Sequence, residues 1–271
     1  LGAIATAARD DLDFLLGFLL AWTNDPFSHF ELRRSAVPAE AMAKHFDGLR
    51  IGKPAARVTF DGDLAVLRVD TMMGVDTVEH VEAAYDEIAR AGSRALIVDL
   101  RGNEGGAFAV KPLLEHVIDA PLDTGHFVSR TWNASHGRPP TREEVSALAP
   151  WTGWSLSAFW RSVQERGLLR IRMTPDEPNF DGPVFVVVDG RSASATELAA
   201  DGFRASGLAT LVGERTRGRM LSQAFFDVAE GFVVSLPVAD YHSAAHGRIE
   251  GVGVPVDVEV PSAEALERAK A

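Results

Sequence analysis

Two hydrophobic periods take turns along this chain. In "RVTFDGDLAVLRVD" (Arg57 to Asp70) apolar and polar residues alternate on both sides of Asp61-Gly62, which predicts a β-hairpin. "TVEHVEAAYDEIARAG" (Thr77 to Gly92) repeats apolar residues every third or fourth position and stops at a glycine, as an amphipathic helix does. "RALIVDLRG" reads as a buried strand, and "NEGGAFAVKPLLEHVI" as a glycine turn leading into a helix. "VFVVV" (Val184 to Val188) is another buried strand, followed by a helix from Ala195 to Ala205 and by the strand "ATLVGE". Strands alternating with helices predict an α/β domain with a largely parallel sheet.

The front of the chain follows the longer period. Residues 3 to 22 carry apolar groups at helical spacing and predict one or two helices, broken where Pro26 disfavours helical geometry at Asp25. The expected organisation is therefore a helical cap over residues 1–50 and an α/β core over 51–271. The tryptophan-bearing stretch from Trp132 to Trp160 reads as irregular, an insertion or lid. No internal repeat is visible.

Composition narrows the partners. The 271 residues can bury a sizeable core, in one large domain or in one domain with a smaller attachment. A formal net charge of -11 argues against nucleic acid, whose binders need basic faces. The absence of cysteine removes disulfides and thiolate metal sites. "FLLGFLLAW" (Phe14 to Trp22) is too short to span a bilayer, and it follows Asp10, Asp11 and Asp13 rather than the basic region of a signal peptide. The chain begins at Leu1 rather than Met, which leaves a preceding segment and the compartment open.

The chemistry centres on "GRSASATELAADG" (Gly190 to Gly202), where Ser192 and Ser194 follow a buried strand. Ser194-Ala-Thr-Glu197 has the form of a capping box, a stability device without chemistry. The same serine at a strand exit and a helix start is also placed for nucleophilic attack. A second glycine turn, "DLRGNEGG" (Asp99 to Gly106), follows the other buried strand. Ligands of α/β sheets sit at the carboxyl ends of strands, and glycines let backbone N–H groups approach a developing oxyanion.

Together the two turns resemble those of the C-terminal processing (tail-specific) and tricorn-type serine peptidases. "LIVDLRGNEGG" and "GRSASATELAADGFRASGLATLVGERTRG" carry the likeness, which runs from about Val58 to Val260. The resemblance implies a ClpP/crotonase-like core and Ser194 as nucleophile. The amide of Ala195 and one from Gly105 or Gly106 would form the oxyanion hole. Tail-specific members use a lysine base in a threonine-x-glycine-lysine segment. Here the segment is Thr216-Arg217-Gly218-Arg219, and an arginine cannot accept the serine proton. The tricorn branch places a serine-histidine pair ahead of the core, and Ser28-His29 matches it. In that branch the histidine is the base, the preceding serine bonds it, and a glutamate near the domain end orients that serine. "GRIEGVGVPVDVEV" offers Glu250 there. The implied tetrad is Ser194, His29, Ser28 and Glu250.

Of the other histidines, His80 and His116 lie in helical patterns. His45, His126, His136, His242 and His246 sit in polar, loop-like surroundings. Only about two dozen residues separate Arg34 from the hairpin at Val58, too few for the PDZ domain that such peptidases often insert. Substrate capture then falls to the cleft, with the segment of Trp132, Trp151, Trp154 and Trp160 either a lid or simple packing. Arg215, Arg217 and Arg219 are candidates for a substrate carboxylate, or a solvated basic loop.

The reading is a serine peptidase acting on a peptide or protein substrate, without metal or cofactor and compatible with a homo-oligomer. The alternatives are a non-peptide ester or amide hydrolase of the same mechanism and an inactive relative binding a small apolar ligand. The resemblance implies a periplasmic or secreted setting for many of its members.

Overall fold

A computed structural model describes residues 10, 13, 15–17, 29, 31–107, 109–228 and 231–271. The helical reading of residues 3–22 falls mostly outside these, and residues 13 and 15–17 within it are helical.

The strands, numbered in chain order, are β1 (Glu31–Arg34), β2 (Ala56–Asp61), β3 (Leu64–Val69), β4 (Ala95–Asp99), β5 (Leu122–Ser129), β6 (Leu168–Met173), β7 (Val184–Val188), β8 (Ala209–Gly213), β9 (Ser222–Val228), β10 (Phe232–Ser243), β11 (Gly247–Arg248) and β12 (Val258–Glu259). They form two sheets. One runs β12-β8-β7-β4-β3-β2, with every neighbouring pair parallel except the β2–β3 hairpin. This is the expected parallel sheet. Its central strands are apolar on both sides because both sides are covered. Leu96, Val98, Val186 and Val188 face the main core, whereas Ile97, Val187 and Val212 pack on the C-terminal helix Ser262–Lys270 through Ala265 and Ala269.

The second sheet was not anticipated. It runs β1-β10-β5-β6, with β9 and β11 also on β10, and every pairing is antiparallel. β10 reads poorly as a strand from sequence because Pro237 interrupts it, and the register slips between Pro237 and Ala239. At the front of the chain, β1 is an edge strand of this sheet, antiparallel to β10.

The helix Ala195–Ser206 lies between the sheets. Leu198, Ala199, Ala200 and Phe203 are buried, and Gly202 lets Leu114 approach so closely that an added Cβ would lie 2.7 Å from its Cδ1. Asp201 fastens the helix to β10. Its carboxylate accepts from Ser243 Oγ at 2.9 Å and Tyr241 Oη at 3.2 Å, and meets His246 Nδ1 at 2.9 Å. Burial pushes Asp201 above the ordinary carboxylate range, against the pull of these partners. The helix that Ser194 caps is thereby anchored to the antiparallel sheet.

The stretch from Trp132 to Trp160 is more regular than expected. It contains the helices Arg130–His136, Arg142–Ser146 and the start of Leu156–Arg166. Short polar helices lack a strong apolar period, and their caps hold them. Thr141 and Glu144 form a capping box, and Ser155 Oγ accepts from Ala158 N–H at 3.1 Å. Several histidines also leave their expected loops. His126 and His242 are cross-strand partners on β5 and β10, and His45 and His136 lie in helices. Among the described residues no helix is long and apolar enough to cross a membrane.

Candidate active site

The two glycine turns emerge side by side, at the carboxyl ends of the adjacent parallel strands β4 and β7. Buried polar groups lock them together. Asp189 Oδ1 accepts from Gly102 N–H at 3.0 Å and from Arg191 N–H at 3.0 Å. Asn103, fully buried, donates through Nδ2 to the Val69 carbonyl at 3.1 Å, and its own carbonyl accepts from Ala193 N–H at 3.1 Å. Ser192 belongs to this scaffold, since its Oγ donates to the Leu100 carbonyl at 3.0 Å and accepts from Asp189 N–H at 3.1 Å.

Ser194 differs from Ser192. Its φ of 57° and ψ of −123° make it the one positive-φ residue other than glycine among the described residues. Such a conformation costs about 1–3 kcal/mol and persists only where the surroundings over-determine it. Here they do. Glu197 Oε2 accepts from Ser194 N–H at 3.0 Å and from Arg219 N–H at 2.8 Å. Its Oε1 accepts from Thr216 Oγ1 at 2.6 Å and Gly218 N–H at 2.7 Å. Burial pushes Glu197 upward, and the four donors pull the other way without cancelling it. The capping-box reading thus holds for Glu197, and the same contact holds a strained serine at a strand-to-helix turn, the geometry of the nucleophile elbow of α/β-hydrolases.

Two backbone amides next to Ser194 have no partner among the described residues. Gly105 N–H is committed to Asn103 Oδ1 at 2.9 Å. Gly106 is bridged in parallel to Met72, with Met72 N–H on the Gly105 carbonyl and Ala107 N–H on the Met72 carbonyl. That arrangement turns Gly106 N–H away from Met72. The Ala195 amide opens the helix and has no intrahelical acceptor. The pair available to an oxyanion is therefore Gly106 and Ala195. Gly105 has a spatial role, since an added Cβ would lie 2.6 Å from the Ala193 carbonyl and 2.7 Å from Ser194 Cβ. Gly105→Ala is expected to lower activity by about 10²-fold and stability by about 2 kcal/mol or more, read by turnover and thermal unfolding. An unaltered unfolding midpoint would show that the turn has slack.

His29 is buried, only 8% exposed, and its Nε2 lies 2.8 Å from Glu250 Oε1. A carboxylate only accepts, so Nε2 carries the hydrogen and Nδ1 is left as the acceptor. Glu250 Oε2 accepts from Met220 N–H at 2.5 Å and Leu221 N–H at 3.0 Å. Burial raises Glu250, but the His29 bond and the two amides outweigh it and hold the carboxyl below its ordinary range. Gln223 Nε2 donates to the His29 carbonyl and anchors the backbone there. Glu250 meets the imidazole directly, and Ser28 lies outside the described residues.

No hydrogen bond among the described residues joins His29 to Ser194. What couples them is the segment 216–221. Thr216, Gly218 and Arg219 hold Glu197 and with it the Ser194 turn, and the next two amides, Met220 and Leu221, hold Glu250 and with it His29. The side chains of Arg215, Arg217 and Arg219 are exposed, and Arg217 lies 3.9 Å from Glu104. Sequence reading missed Asn103, Asp189, Thr216 and Gln223, whose roles depend on partners distant in the chain. Asn103, Asp189 and Thr216 lay inside motifs already singled out, Asp189 as the first residue of "DGRSASATE".

Ser194, Ala195 and Gly106 also line a pocket of about 140 Å³ whose other walls include Phe127, Phe159, Ile171 and Leu198. Trp151 lines it as well, Trp160 is buried, and Trp154 is 45% exposed with Lys111 Nζ 4.5 Å above its ring. No group of three or more His, Asp or Glu among the described residues is arranged to hold a metal ion.

The fold and this turn define a class, an α/β core with an over-determined serine between a parallel strand and a helix. The model of peptidase family S41 matches residues 63–260, and the chain belongs to that family of serine peptidases. It is 25% identical over 91% of its length to the carboxyl-terminal-processing protease of Synechocystis, covering 47% of that protein. It is 33% identical over 66% of its length to the carboxyl-terminal-processing protease of Picosynechococcus, covering 34% of it. The chain thus spans less than half of these relatives. Among solved structures, the photosystem II D1 C-terminal processing protease superposes with a TM-score of 0.53 at 22% identity, over 88% of this chain and 51% of that one. A lipoprotein from Streptococcus agalactiae gives 0.59 at 12% identity, over 98% of this chain and 82% of that one. Both likenesses are of fold.

Proposed function

We propose that this chain is a serine peptidase that cleaves peptide bonds through an acyl-enzyme on Ser194, with His29 as general base. The observation that carries the reading is the buried His29–Glu250 pair, held by the same six-residue segment (216–221) that braces the Ser194 turn. In the reaction His29 Nδ1 takes the Ser194 proton as Oγ attacks the scissile carbonyl. The carbonyl oxygen becomes an oxyanion facing the amides of Gly106 and Ala195. His29 passes its proton to the leaving amine, and water activated by the same imidazole then releases the acyl group. Glu250 fixes the tautomer and offsets the imidazolium charge. Residues 1–50 act in this reading as the cap that delivers His29, with Ser28 beside it. Contact between base and nucleophile tightens when substrate arrives, as hydrogen bonds in unliganded active sites commonly do.

Arg219 supports assignment to the histidine-using branch, because its side chain cannot serve as base while its amide serves as scaffold. The test is a small fluorophosphonate. Saturable labelling at Ser194 is expected, falling by about 10²-fold or more in His29→Ala. Labelling that ignores the His29 change would remove the histidine from the mechanism, and no labelling at all would favour a ligand-binding role.

A further inference from the structure

We infer that the pocket beside Ser194 receives the side chain on the acyl side of the scissile bond, and that Lys111 selects tyrosine there over phenylalanine. The inference rests on Ser194 being the nucleophile. With the carbonyl held between Ser194 and the amides of Gly106 and Ala195, the nearest substituent is the one on the carbonyl's own α-carbon. Those three residues form part of the pocket wall.

The size suits one ring. The pocket holds about 140 Å³ between Phe127, Phe159, Ile171 and Leu198. An apolar cavity of about 150 Å³ with similar walls admits benzene in another protein. An alanine side chain would leave most of this volume empty.

The polar groups in the wall are nearly all spent. Arg172 gives Nε and Nη2 to Asp123 at 3.0 and 2.8 Å, sharing that carboxylate with Arg170. Their combined pull, with Arg170 the larger, holds Asp123 down at about 2. Ser155 donates to Asp47 at 2.8 Å, and Ser222 Oγ accepts from Trp160 Nε1 at 3.2 Å. Lys111 is the amine among the exceptions, and the Trp151 indole N–H and Arg172 Nη1 are likewise without an acceptor among the described residues. Lys111 is half-buried, lines the pocket, and makes no salt bridge or hydrogen bond among the described residues, although its charge pulls against the burial that raises Glu115. Glu115, one helical turn on, has turned instead to Thr174 N–H at 3.1 Å. The ammonium rests over the Trp154 ring, a contact that leaves its N–H donors free for an oxygen. An occupant with an aromatic ring and an oxygen at its tip satisfies both features, and tyrosine is the amino acid that has them. Its phenolic oxygen would accept a charge-assisted hydrogen bond from Lys111.

The experiment compares three irreversible peptidyl phosphonate diphenyl esters, identical except for a tyrosine, phenylalanine or alanine side chain next to phosphorus, by their rate of attachment to Ser194. Phenylalanine is expected to exceed alanine by about 10²-fold, and tyrosine to exceed phenylalanine by about tenfold. Lys111→Met should bring the tyrosine-to-phenylalanine ratio to about one, and Lys111→Arg should keep the preference. Equal rates for alanine and phenylalanine would overturn the ring-sized pocket. A tyrosine preference that is missing, or that survives Lys111→Met, would overturn the role of Lys111. If the small fluorophosphonate labels Ser194 and none of the three esters does, the pocket inference fails alone. If nothing labels Ser194, the peptidase reading fails with it.

Discussion

Ser194→Ala is expected to lower peptide hydrolysis by at least about 10⁴-fold while the protein stays folded. Loss of the nucleophile leaves only binding and the oxyanion amides to act. The fold should survive because the hydroxyl only caps the Glu197 amide, which also donates to the Ser194 carbonyl at 2.8 Å. The bonds that fix the turn run from the Ser194 amide to Glu197 and from the Ala193 amide to the Asn103 carbonyl. Alanine also keeps the Cβ and hence the strain of a φ of 57°. Ser194→Gly removes both, so it should be equally inactive yet more stable than Ser194→Ala by about 1 kcal/mol. Turnover on a peptide substrate and urea unfolding of both variants read the two effects apart. Undiminished turnover in Ser194→Ala would end the nucleophile assignment.

Glu250→Gln should be nearly as damaging for a subtler reason. The carboxylate accepts on one oxygen from His29 Nε2 and on the other from Met220 and Leu221. A glutamine can satisfy the two amides only with its carbonyl oxygen, which turns its NH₂ toward the imidazole. That NH₂ donates, so His29 Nε2 must become an acceptor and the hydrogen moves to Nδ1. An imidazole in that tautomer cannot take the Ser194 proton. The equivalent Asp→Asn change in the Ser-His-Asp triad of another protease costs about 10⁴-fold with the geometry intact, and a loss of about 10³- to 10⁴-fold is expected here. Steady-state kinetics with a thermal unfolding control checks it. Activity within tenfold of the parent would mean that Glu250 does not orient the base.

Much of the parallel half of the molecule was legible because its signals are local. The β2–β3 hairpin, the helix Val75–Ala91 ending at the left-handed Gly92, and β4, β7 and β8 each carry their period and stop within one stretch. The antiparallel sheet was not legible in the same way. β1 has four residues and takes its pairing from Phe232–Ser235, about two hundred positions away, and β10 contains a proline. The candidate site divides likewise. Ser194 and the glycine turns show locally, whereas His29 and Glu250 mean little alone and became visible only through a resemblance in chain order. The choice between Gly105 and Gly106 needed coordinates, because it depends on where Asn103 sends its side-chain oxygen.

β1 begins two residues after His29, and among the described residues its only strand partner is β10. Edge strands fray more cheaply than central ones. Unzipping Glu31–Arg34 would carry the imidazole off while the serine turn, wired through Glu197, stays assembled. In the proposed mechanism catalytic competence is then tied to a local opening equilibrium far smaller than global unfolding, and amide exchange at those four residues measures it.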